Sequence, residues 1–229
     1  MDKKEFYLKK IGQRGKIAIW LVDGSKIRCD LDKEFTNFGQ HFRFPFIPKY
    51  EFWLDKEAMP NERRFFIDHL LVEWQSMREG SSYIEAFDAA GEKERSERFK
   101  AGDLKKVCGK DNRPDIKKMR YRLLYKTDGG ILIWLVYGRL VRSAFNIDFT
   151  QGGHDLVYDF VPRNNVWLDN DVLIKERPYI MLHELYERSL MKRGFDYPKA
   201  HRRASKIEWQ ARHDKRKLKE SLALLGIYD

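Results

Sequence analysis

The chain has 229 residues, 42% of them hydrophobic and 35% charged, with 45 Lys plus Arg against 35 Asp plus Glu for a formal net charge of +10. That hydrophobic share, with 14% aromatics, excludes an intrinsically disordered chain, and the charged share excludes an integral membrane protein. The +10 balance admits an acidic partner such as nucleic acid without requiring one.

No apolar run approaches the roughly 18 residues of a membrane span, and the opening MDKKEFYLKK has no signal-peptide core, so a cytoplasmic protein with no membrane contact is expected. Cys29 and Cys108 stand in unrelated surroundings, neither a disulfide framework nor a zinc-ribbon spacing.

The first element, GKIAIWLVDG, returns as GGILIWLVYG in the second half. Sliding residues 15–98 onto 129–212 without a gap pairs Trp20 with Trp134, Arg28 with Arg142, Trp53-Leu54-Asp55 with Trp167-Leu168-Asp169, His69 with His183 and Glu73 with Glu187. The offset is constant, 183 less 69 being 114. About a third of the positions are identical, where unrelated segments of average composition agree at about one in sixteen. Three regions follow: a first repeat unit over 1–98, a basic connector over 99–128, and a second unit over 129–229 that carries a basic C-terminal helix. The fold class is α+β, each unit a small antiparallel sheet followed by a helix hairpin. A monomer with internal pseudo-symmetry is expected.

The connector holds ten Lys or Arg against four Asp or Glu between Lys100 and Asp128, and its KMRYRLLYK reads as a short strand or helix. In the second unit, ILIWLVYG and RLVRSAF read as a hairpin, with LVYDFV and NVWLD as two further strands. From Glu176 the apolar residues recur at three and four spacing until Gly194, which predicts a helix of about four turns. Asp196 then caps a second helix carrying Tyr197, Ala200, His201, Ala204 and Glu208 along one face. A last helix ends near Gly226 and has Leu218, Leu222, Leu224 and Leu225 to bury.

Chemistry is suggested by LHELYER. His183 and Glu187 lie four apart on one helix face with Glu184 beside His183, the spacing of a zinc-binding helix in which the intervening Glu acts on water. A third ligand must come from elsewhere. The reversal at Gly194 brings His201 back beside Glu187, giving His183, Glu187 and His201 as zinc ligands and Glu184 as base. The first unit reads IDHLLVEW, keeping His69 and Glu73 but placing Leu70 and Phe87 where the second unit has Glu184 and His201. The plainer alternative is that the His and Glu pairs are hydrogen-bonded packing features shared by both copies. GGHD at Gly152 to Asp155 offers His154 as a ligand loop, although an ordinary turn fits it better.

The segment ERPYIMLHELYE after the strand NVWLD resembles the zincin active-site segment of ImmA/IrrE-type metallopeptidases, cytoplasmic enzymes of phage and mobile-element contexts. The resemblance covers twenty to thirty residues by motif, and Glu187 stands where that family has its second His. It implies His183 and Glu187 as ligands and Glu184 as the base.

Two functions follow from these readings. One is a peptidase-like, zinc-dependent hydrolase with its site in the second unit. The other is a non-enzymatic binding protein of phage or mobile-element origin, contacting nucleic acid or a host protein through Lys105, Lys106, Lys117 and Lys118 of the connector and Arg202, Arg203, Lys215, Arg216 and Lys217 near the end.

Overall fold

The computed structural model describes residues 3–228. The chain divides into two compact units, Met1–Lys106 and Val107–Asp229. In the first unit the order is β1 (Tyr7–Arg14), β2 (Ile17–Val22), α1 (Gly24–Asp30), β3 (Phe38–Gly39), β4 (Glu51–Asp55), α2 (Arg63–Arg78), α3 (Tyr83–Lys100) and the short α4 (Asp103–Val107), whose last residue opens the second unit. The second unit repeats it: β5 (Arg120–Lys126), β6 (Leu132–Val136), α5 (Gly138–Ala144), β7 (Gly152–His154), β8 (Asn165–Asp169), α6 (Arg177–Lys192) and α7 (Tyr197–His213), followed by α8 (Lys215–Leu224). The α+β class and the tandem of two like units are therefore observed.

The duplication holds at the level of register. Ala18 faces Glu51 where β2 pairs with β4, and Leu132 faces Asn165 where β6 pairs with β8, both partners displaced by 114. Trp20 and Trp134 lie in the same strand of their respective sheets, each opposite the second Trp of its unit.

Each sheet has four strands, in the orders β1-β2-β4-β3 and β5-β6-β8-β7. The expected antiparallel sheet is corrected to a mixed one, because the central pairs β2·β4 and β6·β8 are parallel. A parallel pair needs a crossover, and α1 or α5 begins that connection. RLVRSAF is accordingly helix, not the return strand of a hairpin. Its cause is Arg142, which reaches from α5 to Asp169 at the end of β8 (Nη1 to Oδ2 2.6 Å) and donates to the carbonyl of Phe149 at 2.9 Å. Arg28 makes the same bonds to Asp55 and Phe35. The hairpin partner of β6 is β5, so residues 120–126 of the basic segment form a sheet edge. LVYDFV is also not a strand; the ladder is taken by Gly152–His154 just before it, and the LVYDFV residues turn back under the sheet.

Ile133, Leu135, Val166 and Leu168 on one sheet face bury themselves against Ile180, Met181, Leu182 and Leu185 of α6. The period of α6 is thus the period of its burial. The helix stops at Gly194, whose φ of +91° suits glycine, and α7 starts at the Asp196 cap, whose side chain accepts from the Lys199 N–H. Of the leucines of α8, Leu222 joins this core and Leu218 and Leu225 pack on it, whereas Leu224 points to solvent.

Candidate metal centre

The α6–α7 hairpin places His183, Glu187 and His201 together. His183 Nε2 lies 3.4 Å from Glu187 Oε2 and 3.2 Å from His201 Nδ1, and His201 Nδ1 is 2.7 Å from the same Glu187 oxygen. A tetrahedral ion with bonds of about 2.0 to 2.2 Å holds its ligand atoms roughly 3.3 to 3.6 Å apart; the two edges from His183 lie at or near that spacing, whereas the 2.7 Å His201–Glu187 edge is a hydrogen bond that an ion would have to displace and widen.

The hydrogen bonds behind these donors fix which atoms face the centre. His183 Nδ1 is 2.9 Å from Glu208 Oε2 on α7. A carboxylate only accepts, so the proton of a neutral His183 sits on Nδ1 and the lone pair of Nε2 faces Glu187. This carboxylate–histidine pairing is the usual support of a metal-bound imidazole. Glu208 is in turn held by Arg212 Nε at 2.9 Å, and Arg212 Nη1 reaches Glu176 at 2.8 Å. Hydrogen bonds to both carboxylates thus brace the guanidinium between the two helices.

Glu187 is fixed from its other oxygen. His154, carried by edge strand β7, approaches Glu187 Oε1 through Nε2 at 3.0 Å, while its Nδ1 accepts the backbone N–H of Leu156 at 3.2 Å. A ring nitrogen that accepts an N–H carries no proton, so in neutral His154 the proton is on Nε2 and is donated to Glu187. The geometry also brings His154, Glu184 and Glu187 within range of a shared ion. We favour His183, Glu187 and His201 as the ligand set, because a metal on His154 Nε2 would move its proton to Nδ1 and set it against Leu156 N–H.

Glu184 is 9% exposed and lies beside this cluster. Burial is the main reason its pKa rises to about 7; the His183 and His154 charges oppose the rise and Glu187 adds to it. Burial acts in the same direction on Glu187, yet the hydrogen bonds from His154 and His201 and, when it is protonated, from His183 outweigh it and hold that carboxyl well below the usual range. His183 is the converse: burial disfavours its cation, but Glu187 and Glu208 together hold its pKa well above the ordinary histidine value. The cluster is built to surround positive charge, whether a proton on His183 or a metal ion in its place.

β7 packs closely over α6. A Cβ on Gly152 would meet Ile180 Cγ2 at 3.1 Å and Glu184 Cγ at 3.2 Å, so the absence of a side chain there lets the strand approach Glu184. The half-buried Tyr158 ring packs against Gly153, and its phenol pKa is raised first by desolvation and then by Glu184.

The first unit keeps the support and lacks the centre. His69 Nδ1 is 3.0 Å from Glu94 Oε2, Arg98 joins Glu94 to Glu62, and Gln40 donates to Glu73 Oε1 at 2.6 Å. His69 Nε2, however, is 3.6 Å from Glu73 and has no hydrogen-bond partner. The Phe87 ring fills the position of His201, 5.3 Å from the His69 ring, and Leu70 stands at the position of Glu184.

Sequence reasoning singled out Glu184, His183, Glu187 and His201, and the structure assembles all four. It gave His154 too little weight and Glu208 no chemical role. For Glu208 the signal was present: Glu94 and Arg98 repeat as Glu208 and Arg212 at the same offset. The basic candidates Lys105, Lys106, Lys117, Lys118, Arg202, Arg203, Lys215, Arg216 and Lys217 are all exposed. Several are engaged locally, Lys106 with Asp103 and Lys118 with the Cys108 carbonyl, while Arg203 stacks over Phe195. No family model, curated protein or solved structure matches the chain.

Proposed function

We propose that the second unit is a zinc-dependent, peptidase-like hydrolase. The observation that carries this reading is the triangle of His183 Nε2, Glu187 Oε2 and His201 Nδ1 with edges of 3.4, 3.2 and 2.7 Å, backed by its Glu208 and His154 supports. Three protein ligands leave a fourth position open, as catalytic rather than structural sites do. Bound there, zinc would polarise a carbonyl and acidify a water.

The remaining chemistry belongs to the chain. Glu184, poised near neutrality, takes the proton of the attacking water as its oxygen bonds to the carbonyl carbon. It then returns that proton to the leaving nitrogen as the C–N bond breaks. The close approach of β7 at Gly152 keeps bulk water from one side of the carboxylate. Support for an extended, peptide-like substrate is the place of β7. It is the outermost strand, paired on one side only, and an edge strand of this kind accepts a further strand by main-chain hydrogen bonds. The resemblance of ERPYIMLHELYE to ImmA/IrrE-type metallopeptidases points the same way.

Metal analysis of the purified protein tests this first: about one zinc per chain is expected, and a metal-free protein that takes up no zinc ends the reading. A quenched-fluorescence peptide library then reports cleavage. The Glu184→Gln variant should keep its zinc and lose at least about 100-fold in rate; an unchanged rate would remove Glu184 from the chemistry.

A further inference from the structure

The first unit, stripped of Glu184 and His201 equivalents, carries a different feature. A cleft of about 480 Å³ is lined by Arg14, Lys16, Lys49 and Arg78 together with Tyr50 and Trp74, and no acidic side chain lines it. None of the four cations forms an ion pair among the described residues. Cations usually take carboxylate partners where neighbours allow, as Arg95 and Lys93 do on α3 with Glu92 and Glu97; four unpaired cations around one hollow leave a positive field focused in it.

The aromatic walls are organised by the same cations. Arg78 lies over the Trp74 ring at 5.3 Å and Lys49 over the Tyr50 ring at 5.8 Å, and the two rings are 6.2 Å apart. Trp74 is buried, while Tyr50 is 45% exposed and offers a ring face to a ligand.

The duplication supplies a comparison. At the positions of Lys16, Tyr50 and Trp74 the second unit has Gly130, Asn164 and Arg188. There Arg188 is consumed internally, donating to Asp155 at 2.5 and 3.1 Å and to Asn164 at 2.9 Å. His41 stands where Asp155 would be. One scaffold thus carries a closed polar network in the unit with the metal-type triangle and an open, aromatic, cationic cleft in the unit without it.

We propose that this cleft binds single-stranded nucleic acid, with a base stacked on Tyr50 and the adjoining phosphates held by Arg14, Lys16, Lys49 and Arg78. The volume falls within the range of about 300 to 1,000 Å³ typical of ligand pockets, room for one or two nucleotide units. Stacking on an exposed aromatic ring beside a cationic track is the general mode of sequence-tolerant single-strand binding. The site is separate from the proposed zinc centre and does not rest on it.

Fluorescence polarisation of the full-length protein with a labelled ten-nucleotide oligo(dT) tests the assignment. Tyr50→Ala should weaken binding about tenfold and Tyr50→Phe should leave it intact, as loss of one stacked base predicts. The pair Lys49→Glu and Arg78→Glu should weaken it further and flatten its salt dependence. Zinc content, read in parallel, should not change in any of these variants. Binding that survives Tyr50→Ala and the charge reversals but disappears with Lys215→Glu and Arg216→Glu would overturn the proposal in favour of the C-terminal basic run. Competition separates the sources: duplex DNA competing as well as the oligonucleotide, or inorganic phosphate doing so, would overturn a stacked single strand, and a mononucleotide competing as well at equal nucleotide concentration would reassign the ligand to a free nucleotide.

Discussion

His154 and Gln40 occupy one position in the two units and do one job, donating a proton to the carboxylate of the adjacent helix. The first unit therefore shows that an amide suffices. We expect His154→Gln to retain zinc affinity within a few-fold and His154→Ala to lose about 10- to 100-fold, the usual effect of removing a supporting hydrogen bond. Equal loss in both variants, measured by competition with a chromogenic chelator, would instead make His154 a ligand and the site a closed, structural one. Buried His69 gives a second prediction at this scale. Its pKa reaches about 9: burial, the largest single effect, lowers it, but the Glu94 hydrogen bond and the nearby Glu73 carboxylate together outweigh it. A histidine pKa raised in the folded state means the cation stabilises the fold below the unfolded value of about 6.5, and that this stabilisation fades as pH climbs through 9. Its partner Glu94 is held below its ordinary pKa, with burial opposed by His69 and Arg98, so its own contribution fades as pH falls below about 4.5. Denaturant titrations should show His69 contributing a fall in stability between pH 6.5 and 9 of about 3 kcal/mol at most; His69→Asn, less stable at pH 6, should lose that share of the slope and keep the share due to His183, whose pKa is also raised.

At the scale of elements, α6 and its reversal at Gly194 were legible because burial follows the helical period and because glycine and Asp196 punctuate it. The α5 helix was not. Its Val141 and the Phe145 that follows it favour strand, and the distant carboxylate of Asp169 drawing in Arg142 fixes the helix through a tertiary bond no local window contains. The sheet's parallel pair was missed for the same reason, since a hairpin was assumed wherever two apolar runs met at a glycine. His154 reads as a possible ligand but more readily as a turn residue, because a histidine after two glycines looks like any polar turn; only the pairing of Gly152–His154 with β8 turns it toward Glu187. The α5 account makes its own prediction. A Cβ at Gly138 would collide with the Asp169 carboxylate, so Gly138→Ala must displace the buried Arg142–Asp169 pair. A loss of about 3 kcal/mol or more is expected in urea unfolding, and a near-neutral result would show that the clamp does not hold α5.

For the whole molecule, metal should act on one unit. Zinc at 100 times its dissociation constant would stabilise the folded second unit by about 2.7 kcal/mol. Adding a chelator should therefore speed amide hydrogen exchange in α6, α7 and β7 and leave α2 and α3 unchanged; an equal response in both helix hairpins would contradict a single centre.

Because His69, Glu73, Glu94 and Arg98 remain in place around an apolar plug, the first unit is a plugged copy of the second, differing around the triangle at Leu70 for Glu184, Phe87 for His201 and Gln40 for His154, of which Gln40 makes the same hydrogen bond. His69 Nε2 to Glu73 Oε2 measures 3.6 Å against 3.4 Å for His183 and Glu187, and the ring at position 87 sits 5.3 Å from its histidine against 4.9 Å at position 201. Exchanging Phe87→His and Leu70→Glu should therefore raise the stoichiometry from about one zinc per chain to two, with the buried, unbonded nitrogen of His69 finding its first partner. The chain would then hold two such centres in one sequence, and their difference in metal affinity would measure what the surrounding divergence has done to the cradle.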